Sequence, residues 1–234
     1  MKNSDEKKID RLNGPEIVFR NITKDYPNGV RALDNVSFRV APGEFAFLMG
    51  HSGSGKSSLI RLLMMEERPT EGSITVGNIR LSDIKDSGIP YYRREVGVVF
   101  QDFRIILGRS VYENIASAME MLGEPKKKID DRVDTVLDTV GILSKKNEKA
   151  MHLSGGELQR VAIARAIVLL PGLIIADEPT GNLDPENSKE IMRLLKEINN
   201  MGATVLVATH EAGIVENSGQ RVISLAHGMR QFTE

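Results

Sequence analysis

A glycine-rich segment over residues 50–57, with the sequence GHSGSGKS, constrains the fold of this chain more than any other feature. The apolar run Phe45–Met49 precedes it, and an apolar stripe at helical spacing over residues 59–63 follows it. This order of strand, glycine loop and helix is the context in which the pattern G-x-x-x-x-G-K-[ST] binds phosphate groups. Glycines let backbone N–H groups turn inward, and the helix that follows adds its positive end.

Two side chains of this segment suit the binding of a polyphosphate. The Lys56 ammonium group is placed to reach the β- and γ-phosphates, and the Ser57 hydroxyl group is a ligand for Mg²⁺. The alternative is an ordinary glycine-rich turn that happens to contain a lysine. The rest of the chain argues against that alternative.

Composition limits the classes of protein that fit. The 234 residues are enough for one substantial α/β domain, and the formal net charge of −1 does not favour nucleic acid as a partner. The absence of cysteine excludes disulfides and cysteine-ligated metals. Residues 1–14 mix acidic and basic side chains without an apolar core, which predicts a flexible tail and not a signal peptide. No stretch approaches the roughly 18 consecutive apolar residues of a membrane span, so a membrane role would require a partner.

Tyr26 lies in a turn between two segments that alternate polar and apolar residues, Glu16–Arg20 and Asn35–Val40. Such alternation is typical of half-buried strands. An aromatic side chain in a turn can stack on a purine base, an interaction worth roughly 1–3 kcal/mol in nucleic-acid complexes. Covering the edge of the sheet is an equally good interpretation of Tyr26 from these residues alone.

The segment after Gln101 is unusually apolar for a loop. Gln101 ends the apolar run Val96–Phe100, which predicts a buried strand. The apolar residues that follow it are Phe103, Ile105, Ile106 and Leu107. They fit either a local core beneath the next helices or an exposed apolar groove for a protein partner. Helices are predicted over residues 110–122 and 128–140, and Met119, Met121 and Leu122 are expected to pack internally.

A second glycine element, Ser154-Gly155-Gly156-Glu157, opens a helix that is predicted to end near Leu169. Ser154 and Glu157 have the spacing of a capping box. That interpretation leaves the two glycines unexplained, since each glycine in a helix costs about 1 kcal/mol relative to alanine. Exposed N–H groups at a helix N-terminus suit a second phosphate-binding surface. The chain is therefore predicted to hold two phosphate-binding helix starts.

Acidic residues and a histidine follow two further apolar runs. Asp177 and Glu178 come after Leu173–Ala176, and His210 comes after a run that ends at Thr209. Ligands bind beyond the carboxyl ends of parallel strands in such sheets. Because successive strand residues face opposite sides, one carboxylate is expected to address Mg²⁺ and the other to polarise a water molecule. Asp184 is expected to cap a helix over residues 185–200.

Together these elements resemble the nucleotide-binding subunit of ABC (ATP-binding cassette) systems over residues 15–230. The resemblance implies an α/β fold of the P-loop NTPase type. Its RecA-like parallel-sheet core would carry an antiparallel β subdomain and an inserted α-helical subdomain at roughly residues 102–168. Residues 15–234 would then form a single nucleotide-binding domain.

The resemblance also implies that the chain hydrolyses ATP with Mg²⁺, and it assigns roles to residues. The implied nucleotide contacts are Tyr26, Gly50, His51, Ser52, Gly53, Ser54, Gly55, Lys56, Ser57, Ser58, Ser154, Gly155, Gly156, Glu157 and Asp184. The implied catalytic residues are Lys56, Gln101, Glu178 and His210, and the implied Mg²⁺ ligands are Ser57, Gln101 and Asp177.

In this family two cassettes associate head to tail, which accounts for the second glycine element. Ser154–Gly156 of one copy would bind the γ-phosphate held by Lys56 of the other. The residues after the glutamine loop receive a cytoplasmic helix of an integral membrane subunit in the family. That favours an exposed groove around Phe103–Tyr112 and a peripheral location on the cytoplasmic face of the inner or plasma membrane. No nucleic-acid partner is implied.

A finer resemblance points to the FtsE group of cell-division ATPases, whose membrane partner is FtsX. It is carried by residues 89–94, 96–104 and 110–114. It implies that ATP cycling bends FtsX and thereby activates peptidoglycan hydrolases in cell division. The sequence departs from the group at Leu158, where glutamine is usual, and at residues 105–108. The alternative is the ATPase subunit of a lipoprotein-releasing or macrolide or peptide export ABC transporter.

Other classes fit less well. Heads of DNA-repair and chromosome proteins insert a long coiled coil between the two glycine elements, and this interval has no sustained heptads. Ribosome-acting relatives carry two cassettes in one chain. A nucleotide switch that does not turn over is disfavoured because Glu178 and His210 are both present.

Overall fold

The computed structural model describes residues 12–216, 218–226 and 228–231. Its strands are β1 (Ile17–Asp25), β2 (Arg31–Val40), β3 (Phe45–Met49), β4 (Glu71–Val76), β5 (Ile79–Arg80), β6 (Val96–Val99), β7 (Leu173–Asp177), β8 (Thr204–Thr209), β9 (Arg221–Ala226) and β10 (Met229–Gln231). Its α-helices are α1 (Lys56–Leu63), α2 (Ile89–Arg94), α3 (Val111–Glu120), α4 (Lys126–Thr139), α5 (Gly155–Ile167), α6 (Pro185–Asn200) and α7 (Ala212–Glu216).

A six-stranded sheet with the order β10-β9-β3-β8-β7-β6 forms the centre of the fold. The strands from β9 to β6 are parallel to their neighbours, and β10 pairs antiparallel with β9 at one edge. Strands β3, β7 and β8 are almost wholly buried, as expected of parallel strands covered on both faces. The predicted parallel-sheet core is therefore confirmed.

A second sheet with the order β2-β1-β4-β5 is entirely antiparallel and confirms the predicted antiparallel layer. Its apolar face packs on one side of the parallel sheet together with α1, where Phe19 stacks on Phe38 with ring centroids 4.4 Å apart. The other side of the parallel sheet is covered by α3, α4, α5 and α6, which form the second apolar core.

The helices α3, α4 and α5 pack on one another within residues 102–168, where an inserted helical subdomain is expected. The predicted internal packing is correct for Met119, which is 3% exposed, and wrong for Met121 and Leu122. Helix α3 ends at Glu120 and a turn follows, so Met121 is 82% exposed and Leu122 is 36% exposed. Neither side chain packs internally, because both lie beyond the end of the buried helical face.

The expected N-terminal tail falls mostly outside the described residues. Its last residues, 12–14, are attached to the turn that precedes β8. The Leu12 N–H group donates to the carbonyl oxygen of Met201 at 2.7 Å, and that of Gly14 donates to Gly202 at 2.9 Å. Residues 12–14 therefore pack on the domain, although the domain is expected to start at residue 15.

Candidate functional site

The glycine-rich loop runs from the end of β3 into helix α1, as predicted. Gly55 precedes the first helical residue and has a φ of 103°, a conformation that strongly favours glycine. A Cβ atom at this position would also lie 2.7 Å from the carbonyl oxygen of Ala32. Gly55 therefore lets the loop pass close under the start of β2.

The loop forms one wall of a cleft of about 520 Å³ at the carboxyl ends of the parallel strands. The cleft is lined by Tyr26, Val30, Arg31, Ala32, His51, Ser52, Gly53, Ser54, Gly55, Lys56, Ser57, Ser58, Arg61, Gln101, Asp177, Glu178 and His210. Most of the predicted site residues are thus brought together. Gly50, the first residue of the loop, is not part of this lining, and its carbonyl oxygen accepts a hydrogen bond from Lys56.

Lys56 is buried at the base of this cleft, with 7% of its surface exposed. Its ammonium group donates to the carbonyl oxygen of Gly50 at 2.5 Å and to that of His51 at 3.3 Å. It also lies 3.7 Å from Oε1 of Glu178. The lysine charge is therefore held between the loop backbone and the carboxylate expected to act on water.

Glu178 does not continue strand β7, which ends at Asp177. Its φ of 46° turns the backbone into the left-handed region, so the alternation of strand faces does not extend to it. The expectation that Asp177 and Glu178 face opposite sides is wrong for this reason, and both line the same cleft. Nδ1 of His210 lies 2.9 Å from Oε1 of Glu178, and the His210 N–H group donates to Oε2 at 3.3 Å.

Three residues that line the cleft form a donor set that fits a hard divalent cation. Ser57, Gln101 and Asp177 offer a hydroxyl, an amide and a carboxylate oxygen, the atom type that Mg²⁺ prefers. Burial raises the pKa of Asp177, and the neighbouring charge of Glu178 raises it further. A cation beside Asp177 would relieve both effects. The described residues contain no cluster of three or more His, Cys, Asp or Glu residues that could bind a metal. A cation in the cleft would therefore also need the Ser57 and Gln101 oxygens.

The loop also fits a phosphate ligand. Within the described residues, Oγ of Ser54 is buried and has no hydrogen-bond partner. Leaving a buried hydroxyl group unpaired costs roughly 1–3 kcal/mol. A phosphate oxygen in the loop would accept this hydrogen bond.

The second glycine element lies outside the cleft. Ser154 caps α5 by accepting from the Glu157 N–H group at 3.3 Å, and the Glu157 carboxylate accepts from the Ser154 N–H group at 2.8 Å. The capping box is therefore confirmed. The Ser154 N–H group that donates to the Glu157 carboxylate holds its pKa below the usual range, and burial opposes this shift. The Ser110 N–H group lowers the pKa of Glu113 in the same way at the start of α3.

The two glycines after Ser154 differ in what surrounds them. A Cβ atom on Gly156 would lie 2.3 Å from Oδ1 of Asn187, so packing against α6 accounts for this glycine. A Cβ atom on Gly155 would meet Leu183 at an ordinary 3.5 Å, and Gly155 is exposed. Packing within the chain therefore explains Gly156, contrary to the sequence-based argument, and leaves only Gly155 unexplained.

Asp184 caps helix α6 as predicted and lies outside the cleft. Its carboxylate accepts from the N–H groups of Glu186 at 3.0 Å and of Asn187 at 2.9 Å. The Asn187 side chain also donates to Asp184 at 2.5 Å. Asn187 thus lies between Asp184, which caps α6, and Gly156, near the start of α5.

The apolar segment after Gln101 is divided between core and surface. Ile105 packs on the helical core, whereas Ile106 and Leu107 are 52% and 51% exposed. Ile105 therefore fits the first interpretation, and the exposure of Ile106 and Leu107 is what the second interpretation requires. The Arg165 side chain of α5 holds the segment by donating to the carbonyl oxygens of Phe103 at 2.9 Å and Arg104 at 2.5 Å.

Sequence reasoning missed Arg61, which lines the cleft beside Tyr26. The spacing could have predicted this position. Arg61 lies four residues after Ser57 on α1, and residues at that spacing share a helix face. Val30, Arg31 and Ala32 were also missed. They carry no motif, and the antiparallel sheet brings them to the cleft.

Comparison with known proteins gives a consistent result. A family model described as ABC transporter matches residues 33–181. The chain is 48% identical to the cell division ATP-binding protein FtsE of Bacillus subtilis, over 91% of the chain and 93% of that protein. It is 51% identical to FtsE of Streptococcus pneumoniae, over 91% of the chain and 92% of that protein.

Solved structures agree. The structure of cbiO1 from Clostridium perfringens, part of the ABC transporter complex cbiONQ, matches with a TM-score of 0.87 and 32% identity, covering 92% of this chain and 86% of that one. A dimeric ATP-binding cassette in a post-hydrolysis state with ADP and phosphate matches with a TM-score of 0.83 and 35% identity, covering 93% of this chain and 97% of that one. Among the described residues, no helix is long and apolar enough to cross a bilayer. The chain therefore belongs to the ABC transporter family, as an ATP-binding ATPase subunit similar to FtsE.

Proposed function

We propose that two copies of this chain bind ATP head to tail, and that Ser154–Glu157 of each copy completes the cleft of the other. The observation that carries the proposal is the separation of the site residues into two sets. One set lines a single cleft, whereas Ser154 and Gly155 are exposed and line no part of it. A dimeric cassette holding ADP and phosphate, 35% identical to this chain, supports the arrangement.

Binding of the nucleotide would use the loop and the side chains around it. The Tyr26 ring stacks on adenine, the backbone of residues 50–55 surrounds the phosphates, and Ser58 continues this surface along α1. Lys56, which is buried between loop carbonyl groups, neutralises the β- and γ-phosphates. Ser57, Gln101 and Asp177 would hold Mg²⁺, which supplies positive charge to the phosphates when bound.

Hydrolysis would use Glu178 as the general base. Its carboxylate accepts a proton as a water oxygen bonds to the γ-phosphorus and the bond to the ADP oxygen breaks. His210, 2.9 Å away, keeps the carboxylate pointed at the γ-phosphate position. Gln101 lies at the rim of the cleft and positions the same water. General-base assistance of this kind is typically worth roughly 10²–10⁴-fold.

The second copy would bind the γ-phosphate with the Ser154 hydroxyl group and the first N–H groups of α5. Exposed Gly155 lets the phosphate approach this helix start without a side chain in the way. Asp184 would approach the partner's nucleotide beside it, because Asn187 donates to Asp184 and lies next to Gly156 of α5. ATP would hold the dimer together, and hydrolysis would release it.

The membrane partner would be an FtsX-like integral protein that docks around Phe103–Tyr112. Exposed Ile106 and Leu107 supply apolar contacts there, and Arg165 connects the segment to the helix that begins at Ser154. The similarity to FtsE proteins of two bacteria supports this partner. ATP cycling would then bend the partner and activate peptidoglycan hydrolases during cell division, from a position on the cytoplasmic face of the membrane.

Co-purification tests this partner. The Glu178→Gln form is expressed in its native cell with ATP and Mg²⁺, and proteins retained from solubilised membranes are identified by mass spectrometry. The proposal expects an FtsX-like membrane protein, which is lost when Ile106 and Leu107 are both replaced by Asp. The matched control places Asp at exposed Met121 and Leu122, outside the docking segment. Recovery of a permease with a substrate-binding or adaptor subunit would favour the export alternative.

A further inference from the structure

Glu67 lies just behind the cleft, and its carboxylate contacts three different elements. The hydroxyl group of Tyr26 donates to Oε1 of Glu67 at 3.2 Å. Oε2 of Glu67 lies 2.9 Å from Nζ of Lys24, at the end of β1. Nη1 of Arg61, on α1, lies 3.7 Å from Oε1. Glu67 therefore joins the end of β1, the turn that carries Tyr26 and the helix that follows the phosphate-binding loop.

These contacts fix the position of the Tyr26 ring. The Tyr26 hydroxyl group lies 3.2 Å from Oγ of Ser58 as well as from Glu67, so it is held between α1 and the segment after it. The Lys24 ammonium group lies 5.1 Å from the ring centroid and donates to the carbonyl oxygen of Arg68 at 3.0 Å. A ring that is held in place before a base arrives loses less conformational entropy on stacking.

The charge state of Glu67 supports the same role. Burial pushes its pKa up, but the hydrogen bond and charge of Lys24, with contributions from Tyr26 and Arg61, hold the pKa below its usual value. The carboxylate is therefore charged at neutral pH, and its oxygen accepts from the tyrosine hydroxyl group at 3.2 Å.

Glu67 does not itself line the cleft, whereas Tyr26, Ser58 and Arg61 do. We infer that Glu67 is a positioning residue for the adenine base, which sets the affinity for ATP by holding Tyr26 in its stacking position. The inference rests on the proposed function, in which Tyr26 stacks on the base. It predicts that Glu67 matters for a ligand with a base and not for the triphosphate alone.

The test compares the binding of ATP and of inorganic triphosphate by calorimetry, for the intact protein and for Glu67→Ala. The variant is expected to bind ATP about three- to tenfold more weakly, part of the loss that removal of a stacking contact produces. Its affinity for triphosphate is expected to stay unchanged, with KM for ATP raised and kcat retained. Tyr26→Phe, which keeps the ring and loses the hydroxyl group, is expected to bind ATP about as weakly as Glu67→Ala.

Two further variants complete the design. Glu66→Ala is the matched control, because it removes the same charge from the exposed neighbouring residue. Tyr26→Ala is expected to weaken ATP binding more than Glu67→Ala, and adding Glu67→Ala to it is expected to have no further effect.

The outcomes separate the inference from the function on which it rests. Equal loss of ATP and triphosphate binding in Glu67→Ala would show a merely structural role and overturn the inference. Unchanged ATP binding in Glu67→Ala, together with a loss in Tyr26→Ala, would overturn the inference and leave the stacking role of Tyr26 intact. Unchanged ATP binding in Tyr26→Ala would contradict the stacking role itself, and the inference with it.

Discussion

Nδ1 of His210 lies 2.9 Å from Oε1 of Glu178, at the ends of two neighbouring parallel strands. Strand β7 stops one residue before Glu178, and β8 stops one residue before His210. The left-handed backbone of Glu178 turns its side chain toward the histidine and toward Lys56. Glu178, the proposed base, and His210, the residue proposed to orient it, therefore each follow directly after a buried strand.

Replacement of His210 by Ala is expected to lower kcat by about 10²-fold or more while ATP binding is retained. Without the imidazole, the Glu178 carboxylate loses the contact that aims it at the water molecule, and general-base catalysis depends on that geometry. Phosphate release and ATP binding measured on the same preparation check this. His152→Ala, which removes an exposed histidine outside the cleft, serves as the control. Near wild-type turnover in His210→Ala would contradict the assignment.

Replacement of Asp177 by Asn is expected to raise the apparent Tm of the protein in nucleotide- and metal-free buffer. The raised pKa of Asp177, caused first by burial and then by the charge of Glu178, means that its ionised form is disfavoured on folding. This group therefore lowers stability once the pH rises above the ordinary pKa of an aspartate, and the neutral amide removes that penalty. The same variant is expected to lose Mg²⁺-dependent ATP hydrolysis. A lower Tm at neutral pH would show that the carboxylate is stabilising.

Replacement of Gly156 by Ala is expected to destabilise the chain, because the new Cβ atom would lie 2.3 Å from Oδ1 of Asn187 and displace a side chain that donates to Asp184. Overpacking of this kind typically costs about 1–3 kcal/mol, or roughly 2–10 °C in Tm for a chain of this size. Gly155→Ala has room for its Cβ atom and is expected to keep or raise the Tm, since alanine is more favourable in a helix than glycine. Thermal unfolding of both variants, and of Gly156→Ala combined with Asn187→Ala to relieve the overlap, tests this. Equal Tm values for Gly155→Ala and Gly156→Ala would refute the packing explanation.

Replacement of Ser154 by Arg is expected to block hydrolysis without weakening ATP binding to the monomer. The side chain would fill the surface that receives the partner's γ-phosphate, and Ser154 lies outside the cleft of its own chain. Ser110 supplies a matched control, since it forms the same capping box with Glu113 at the start of α3. Ser110→Arg loses an equivalent cap and is expected to retain ATPase activity. Loss of ATP binding by the Ser154→Arg monomer would mean that Ser154 is only a helix cap.

The elements that carry the site were predictable because their residues follow simple periodicities. The apolar runs that became β3, β7 and β8 lead directly into residues that line the cleft, and parallel strands bring such ends to one edge. The helix that Asp184 caps was predicted over its full observed length, since the cap and the apolar spacing agree.

Other features depend on contacts between distant residues or on where an element stops. The alternation of strand residues could not predict the direction of the Glu178 side chain, because the sequence pattern does not show that β7 ends at Asp177. The packing of Gly156 on Asn187 joins two helix starts that are separate in the sequence. Met121 is exposed because α3 stops at Glu120, although the apolar spacing continues beyond it.

Replacement of Glu178 by Gln tests the central claim, that two copies enclose ATP and that Glu178 activates the water. Glutamine keeps the shape of the side chain but cannot accept the proton, so turnover is expected to fall by at least about 10²-fold. Light scattering during size exclusion, combined with phosphate release, is the measurement. The predicted result is a dimer with ATP and Mg²⁺, a monomer with ADP, and no multiple-turnover hydrolysis. A variant that stays monomeric with ATP and hydrolyses it near the wild-type rate would contradict the account.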